Sequence, residues 1–304
     1  MQRFRIAEHS MLPALSPGEE IVASASISPK PGNIVTFPHP SRPDFWLVKR
    51  VVEKDGLANG QIWVESDNRS VSSSDSREFG PVPSETVLTR VARLDGTTFV
   101  EAVELLAEED QSLARIVGQY GIPDFWKRPE GFATLVLLIM EQQVSLESGA
   151  ATFARLVRLW GEVTPGEVAA TDEAAMRSVG VTRQKASYVA GLAELVLNGE
   201  LDLHHVGRLS PSQAREALTS IRGIGPWTAD AYLLSALGFP DIFPIGDRAL
   251  QVGAMEAVGL TSVPSGDELG LLSETWRPIR AVAARLIWHA YLARRGRREP
   301  PFPT

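Results

Sequence analysis

Residues 212–250 read SQAREALTSIRGIGPWTADAYLLSALGFPDIFPIGDRAL, and this stretch decides how the C-terminal two thirds of the chain is read. Helical periodicity over Gln213 to Ser220 runs out at Ile221-Arg222. Gly223 and Gly225 then allow a tight turn with exposed backbone N–H groups, and Pro226 suits the first turn of a following helix over Thr228 to Leu237. Amides of such a turn, with the helix N-terminus behind them, point at an anion and can hold a phosphate without any side-chain charge. A Gly-x-Gly by itself marks only a turn between helices; the longer string Gly223-Ile224-Gly225-Pro226-Trp227-Thr228-Ala229 is more specific. Asp247, ahead of Arg248-Ala249-Leu250, reads locally as an ordinary helix N-cap.

Outward from this stretch the chain divides in character. From Asp95-Gly96 onward it carries helical periodicity over Phe99 to Val117, Glu130 to Glu141, Leu146 to Leu159, Lys185 to Leu197 and Trp276 to Arg294. Before residue 95 it shows short β-type runs, Glu19 to Ser26, Asn33 to Phe37, Phe45 to Glu53, Gln61 to Glu65 and Val87 to Leu94, separated by turn signals such as Lys30-Pro31-Gly32-Asn33 and Asp55-Gly56. The expected fold class is a mainly β N-terminal domain, residues 1–95, followed by an all-α domain, residues 96–304. A length of 304 residues with 44% hydrophobic and 22% charged residues fits two cores. There is no internal repeat, and the one low-complexity stretch is Ser70 to Ser76.

Cysteine is absent, which excludes disulfides, thiolate zinc sites, cysteine nucleophiles and iron–sulfur clusters. No apolar run approaches the ~18 residues of a membrane span, and MQRFRIAEHSMLP lacks a secretory apolar core, so a soluble, cytoplasmic protein is expected. A monomer is expected separately from this. The formal net charge of −7 argues against nonspecific coating of nucleic acid but leaves room for a local basic face. Residues 270–304 hold Arg277, Arg280, Arg285, Arg294, Arg295, Arg297 and Arg298 against Glu274 and Glu299, seven against two, or +5. That run reads as either a solvated tail or a phosphate contact surface.

Residues from about 98 to 298 resemble the helix-hairpin-helix DNA glycosylases, specifically the DNA-3-methyladenine glycosylase II type. The family's catalytic aspartate follows the hairpin by about twenty residues in a Phe-Pro-x-x-Asp-x-Ala-Leu setting, which Phe243 to Leu250 match, placing Asp247 as the catalytic residue. The resemblance implies excision of alkylated purines from double-stranded DNA, with Gly223, Ile224, Gly225 and Thr228 of the hairpin at the DNA. Base removal requires extrusion of the nucleotide, and a carboxylate beside the sugar stabilises the oxocarbenium character of the breaking bond. Trp227 and Trp288 fall at the family's pocket aromatics, where stacking suits a cationic base; Trp288 reads equally as core, and Trp276 as structural or DNA-facing. Glu141-Gln142-Gln143-Val144-Ser145 resembles the family's Gln-Gln-Val-Ser motif, in which Gln143 is the candidate to enter the gap left by the flipped base and Gln142 lies beside it. Thr182, Lys185 and Tyr188 resemble a segment near the DNA backbone, Lys185 being the DNA-binding candidate, although a solvated helix start also accounts for them. Relatives that also cut the strand carry a lysine where this chain has Trp227, so monofunctional hydrolysis is expected. No cofactor or metal is expected beyond room for a monovalent cation at the hairpin–phosphate contact.

A second resemblance covers residues 6–93. Ser10-Met11-Leu12-Pro13, then Lys49-Arg50-Val51, Ser66-Asp67-Asn68 and Ser74 to Gly80 follow the order and spacing of signal peptidase I-like Ser/Lys peptidases, most closely the small soluble members. The resemblance implies Ser10 as nucleophile, Lys49 as its neutral, desolvated base, and Ser73 as the residue orienting the lysine. The chain departs from that family at Gly18-Glu19, Gly32-Asn33 and Ser66, and Glu8 near Ser10 would oppose a developing oxyanion. Two further readings stay open: a soluble Ser/Lys peptidase whose helical domain binds DNA, with an unidentified protein substrate, and a noncatalytic DNA-damage-binding module.

Overall fold

The computed structural model describes residues 1–71, 74–126 and 128–303. It resolves into two compact units, Met1–Glu109 with Trp276–Ile279, and Asp110–Thr275 with Arg280–Thr304.

The first unit is built on strands β1 (Gln2–Arg5), β2 (Glu20–Ser24), β3 (Ile34–His39), β4 (Arg42–Val52), β5 (Gln61–Glu65), β6 (Val82–Pro83) and β7 (Leu88–Arg90). Their order is β1-β2-β7-β3-β4-β5-β6, and the paired strands run antiparallel. A short helix α1 (Ser76–Phe79) precedes β6, and α2 (Gly96–Glu109) follows β7. One face buries Val35, Phe37, Leu47, Val51, Val64 and Val82, and a second cluster gathers Ile6, Met11, Leu15, Ile21 and Ile34. Along β4 the period of two alternates buried and half-buried positions, so Leu47, Lys49 and Val51 all point inward. The strand pattern itself therefore forces a lysine into the core. Trp276 is also buried.

The second unit is helical: α3 (Gln111–Tyr120), α4 (Phe132–Glu141), α5 (Leu146–Trp160), α6 (Pro165–Ala169), α7 (Glu173–Ser178), α8 (Arg183–Leu197), α9 (Leu203–Val206), α10 (Pro211–Thr219), α11 (Pro226–Ser235), α12 (Arg248–Val258), α13 (Gly266–Ser273) and α14 (Arg280–Arg294). The single helix expected over Phe99 to Val117 is broken at Asp110. The carboxylate of Asp110 accepts the N–H groups of Ser112 and Leu113 and starts α3 afresh. α4 and α11 are buried along most of their length and pack on each other, which is why their apolar residues are spread around each helix rather than gathered in one stripe. α12 crosses α14 at Gly253, where a Cβ would stand 2.8 Å from Ile287 Cγ2 and 3.1 Å from the Ile287 carbonyl oxygen. Among the described residues no helix is long and apolar enough to cross a membrane.

Candidate active site

The turn between α10 and α11 rests on a glycine whose replacement would strain the backbone and crowd α8. Gly223 has φ +93°, and a Cβ there would lie 2.3 Å from Tyr188 Cγ, overlapping the side chain that α8 lays against the turn. Gly225 is different: it is the N-cap of α11, at φ −83°, with open space where a Cβ would be. Its exposure leaves the start of α11 approachable by an anion. Ile224 is buried and anchors the turn, while Thr228, also buried, points its hydroxyl inward to the Gln142 side-chain amide at 3.0 Å.

Asp247 caps α12 and does more than cap it. Its Oδ1 accepts the Leu250 N–H at 2.8 Å and its Oδ2 accepts the Trp227 indole N–H at 2.6 Å. Only 6% of Asp247 is exposed. Burial pushes its carboxyl above the usual carboxylate range, against the opposing pull of the hydrogen bonds from Leu250, Trp227 and Ala249. The side chain faces a cleft of about 1190 Å³ lined by Gln142, Gln143, Trp227, Asp247, Trp288 and Tyr291, among others. Trp288 is half-buried with its ring at this cleft, and Trp126 meets it edge to face at 5.5 Å from behind. The Arg285 guanidinium in turn covers Trp126 at 4.8 Å.

The same cleft gathers the other candidates of the helical region, Gly223, Ile224, Gly225, Thr228 and Lys185. Gln143 is exposed at the end of α4 with φ +57°, a left-handed conformation for a non-glycine residue. Lys185 is half-buried, and its ammonium donates to the main-chain oxygens of Met140 and Gln142. Thr182 caps α8 through the Lys185 N–H.

Sequence reasoning missed the support beneath the Gln142–Gln143 turn. Glu141 is 4% exposed and accepts two bonds from Arg128, at 2.8 and 3.1 Å, and Arg128 also approaches Glu299 at 3.7 Å. Glu299 further binds Arg285 and the Trp126 indole N–H. A lone acid closing the apolar run from Phe132 was the available signal. The arginine-rich tail is largely neutralised within the unit: Arg280 binds Asp241, Arg294 and Arg295 share Glu256, and Arg297 pairs with Glu147.

In the first unit, Lys49 Nζ lies 3.4 Å from Ser10 Oγ, with Lys49 2% and Ser10 9% exposed. Burial lowers the Lys49 pKa, partly countered by the charges of Asp75 and Glu8. Asp75, bound by Arg77 and by the Ser66 N–H, is held down to about 2 although burial works the other way. Ser73 lies outside the described residues. Among the described residues no cluster of three His, Asp or Glu is placed to hold a metal ion.

Residues 136–278 match the model of an HhH-GPD superfamily base excision DNA repair protein. The helical unit has the HhH-GPD glycosylase fold. The chain is 28% identical over 180 residues to a DNA-3-methyladenine glycosylase of Bacillus subtilis, covering 55% of this chain and 57% of that protein. It thus spans little more than half the length of the two Bacillus subtilis relatives it matches. Among solved structures, the Schizosaccharomyces pombe 3-methyladenine DNA glycosylase Mag1 in complex with abasic DNA superposes with a TM-score of 0.58 at 27% identity, covering 62% of this chain and 95% of that one. A Bacillus halodurans DNA-3-methyladenine glycosidase gives a TM-score of 0.55 at 29% identity, over 62% and 88%. The matched HhH-GPD region contains the hairpin, Trp227 and Asp247.

Proposed function

We propose that the helical unit is a monofunctional DNA glycosylase that excises alkylated purines, of the 3-methyladenine type, from duplex DNA in base excision repair. The observation that carries this reading is a buried carboxylate, Asp247, hydrogen-bonded to Trp227 at the wall of an aromatic cleft, with the glycine hairpin opening on the same cleft. Amides of the hairpin hold a backbone phosphate, and the target nucleotide turns out of the stack into the cleft. Trp227 and Trp288 receive a base that carries a positive charge from alkylation, through stacking and cation–π attraction. The glycosidic C–N bond breaks with its electron pair going to the base, which leaves neutral. Positive charge develops at the anomeric carbon, where the Asp247 carboxylate stabilises it. Water adds to that carbon, loses a proton, and leaves an abasic sugar.

Trp227 occupies the position at which strand-cutting relatives carry a lysine and offers no amine for a Schiff base, so the backbone stays intact. The test is single-turnover release of methylated bases from alkylated duplex DNA by wild type and by Asp247→Asn, followed by alkali. Release that depends on Asp247, with strand breaks only after alkali, is the expected result. No release by wild type across several lesions, with DNA binding intact, would overturn it.

For the first unit we infer a Ser/Lys hydrolase centre, favoured by the 3.4 Å approach of Lys49 Nζ to Ser10 Oγ inside the sheet's core. A desolvated, neutral amine can take the hydroxyl proton as serine attacks an acyl carbon. Against that desolvation the charges of Asp75 and, less strongly, Glu8 pull the Lys49 pKa back up. Covalent labelling of Ser10 by a fluorophosphonate, lost in Ser10→Ala and in Lys49→Met, is expected. Labelling that persists in Ser10→Ala would remove the proposal.

A further inference from the structure

The turn after α4 is gripped from three sides. Gln142 reaches the hairpin, its side-chain amide donating to the Gly223 carbonyl oxygen at 2.8 Å and to Thr228 Oγ1 at 3.0 Å. Arg128 binds Glu141 with both terminal nitrogens. Lys185, from the first turn of α8, donates to the carbonyl oxygens of Met140 at 2.9 Å and Gln142 at 3.0 Å. Those carbonyls belong to the last turn of α4 and the residue just beyond it, where oxygens lack helical partners and the helix dipole favours a cation. What the three grips leave outside is Gln143, exposed and held at φ +57°.

An ammonium has three hydrogens, and here two are committed to carbonyls inside the protein. The Thr182 cap on the Lys185 N–H fixes the same residue's backbone, so its reach to the turn is preset. A lysine serving mainly as a phosphate contact would keep its head group in solvent; this one is turned inward.

We propose that Lys185 is a positioning residue for base extrusion: by binding the carbonyls at the end of α4 it fixes the turn that presents Gln143, and so governs entry of the target nucleotide into the cleft. The inference rests on the glycosylase reading of the same cleft. It also distinguishes two uses of one lysine, because a phosphate contact acts on every duplex alike whereas a grip on the turn matters only where a base must be pulled from a paired stack.

The experiment compares single-turnover release of one 7-methylguanine placed opposite cytosine with release of the same base placed opposite a baseless tetrahydrofuran residue. With Lys185→Met, release from the paired duplex is expected to fall about 30- to 100-fold, the scale of a misplaced positioning group. Release from the unpaired site is expected to stay within about threefold, since extrusion there is already cheap. Lys185→Arg, which keeps donors for both carbonyls, is expected to recover most of the paired-site rate. Equal losses on both duplexes, together with a salt dependence of binding shallower by about one, would show a phosphate contact and overturn the proposal. Gln143→Gly, which relaxes the left-handed residue, must reproduce the paired-against-unpaired split. A uniform loss there overturns the proposal even if Lys185→Met does not fold. Absence of release from either duplex by wild type would bring down the glycosylase reading, and this inference with it.

Discussion

On the proposed reading Asp247 has two tasks whose demands differ, and substitution separates them. As N-cap of α12 it needs only an acceptor for the Leu250 N–H, which asparagine supplies nearly as well. As the group facing a nascent cation it needs a negative charge. Asp247→Asn is therefore expected to lose at least about 100-fold in single-turnover release, in line with other electrostatic stabilisers, while keeping its fold. The sign of its stability effect follows from the raised pKa. A carboxyl that holds its proton more tightly folded than unfolded contributes stability at low pH and loses it as pH rises through the folded-state value, so at neutral pH the ionised form is a cost. The melting temperature of Asp247→Asn at pH 7 should accordingly equal that of wild type or exceed it by up to about 4 °C. Trp227 acts in the opposite direction, since its indole hydrogen bond favours the charged carboxylate. Trp227→Phe keeps an aromatic ring but removes the donor. It should move the acid limb of the release-rate profile upward by about one pH unit, the worth of one such hydrogen bond. An unmoved limb would mean that the 2.6 Å contact does not tune the acid.

At the scale of elements, the hairpin makes a prediction that its two glycines share in sequence and divide in structure. Gly223→Ala forces a Cβ into the Tyr188 ring at a positive φ, whereas Gly225→Ala meets nothing. The first should lower the melting temperature by several degrees, on the order of 2–3 kcal/mol; the second should leave it unchanged and weaken only binding to an abasic duplex. Equal melting shifts would contradict the close approach of α8. The sequence made the hairpin legible because its signals are local: glycines, a proline at the first helical position and flanking apolar periods. The same locality explains what stayed hidden. Strand β1 (Gln2–Arg5) holds one apolar residue in four and shows no alternation to read. The short helices α6, α7 and α9 are below the length over which periodicity emerges. The break at Asp110 falls inside a continuous apolar period and depends on one carboxylate capping rather than facing solvent. Asp247 and the pocket tryptophans were marked by family spacing, but no pattern announces that Trp227 donates to Asp247 or that Lys185 turns to α4.

For the whole molecule, the decisive quantity is charge, and here linear sequence misleads in a definite way. The +5 of residues 270–304 suggests a basic face, yet partners far away in sequence quench much of it: Glu147, Asp241 and Glu256 pair with Arg297, Arg280, Arg294 and Arg295. With a chain total of −7, binding that relies on hairpin amides rather than free guanidinium groups should release few counterions. The logarithm of the binding constant for an abasic duplex is expected to fall with the logarithm of salt with a slope no steeper than about −4. Arg297 lines the same cleft as Asp247, so its pairing bears directly on this slope. The guanidinium binds Glu147 through two nitrogens, and that contact holds the Glu147 carboxyl down to about 2, so the carboxylate stays ionised across the working pH range. Glu147→Gln removes one negative charge and frees Arg297 to meet a phosphate. The variant should bind DNA more tightly at low salt and show a slope steeper by about one, with the advantage shrinking as salt rises. Titrations of wild type and Glu147→Gln at several salt concentrations decide the matter: parallel lines would mean that Arg297 stays out of reach of the duplex even when released.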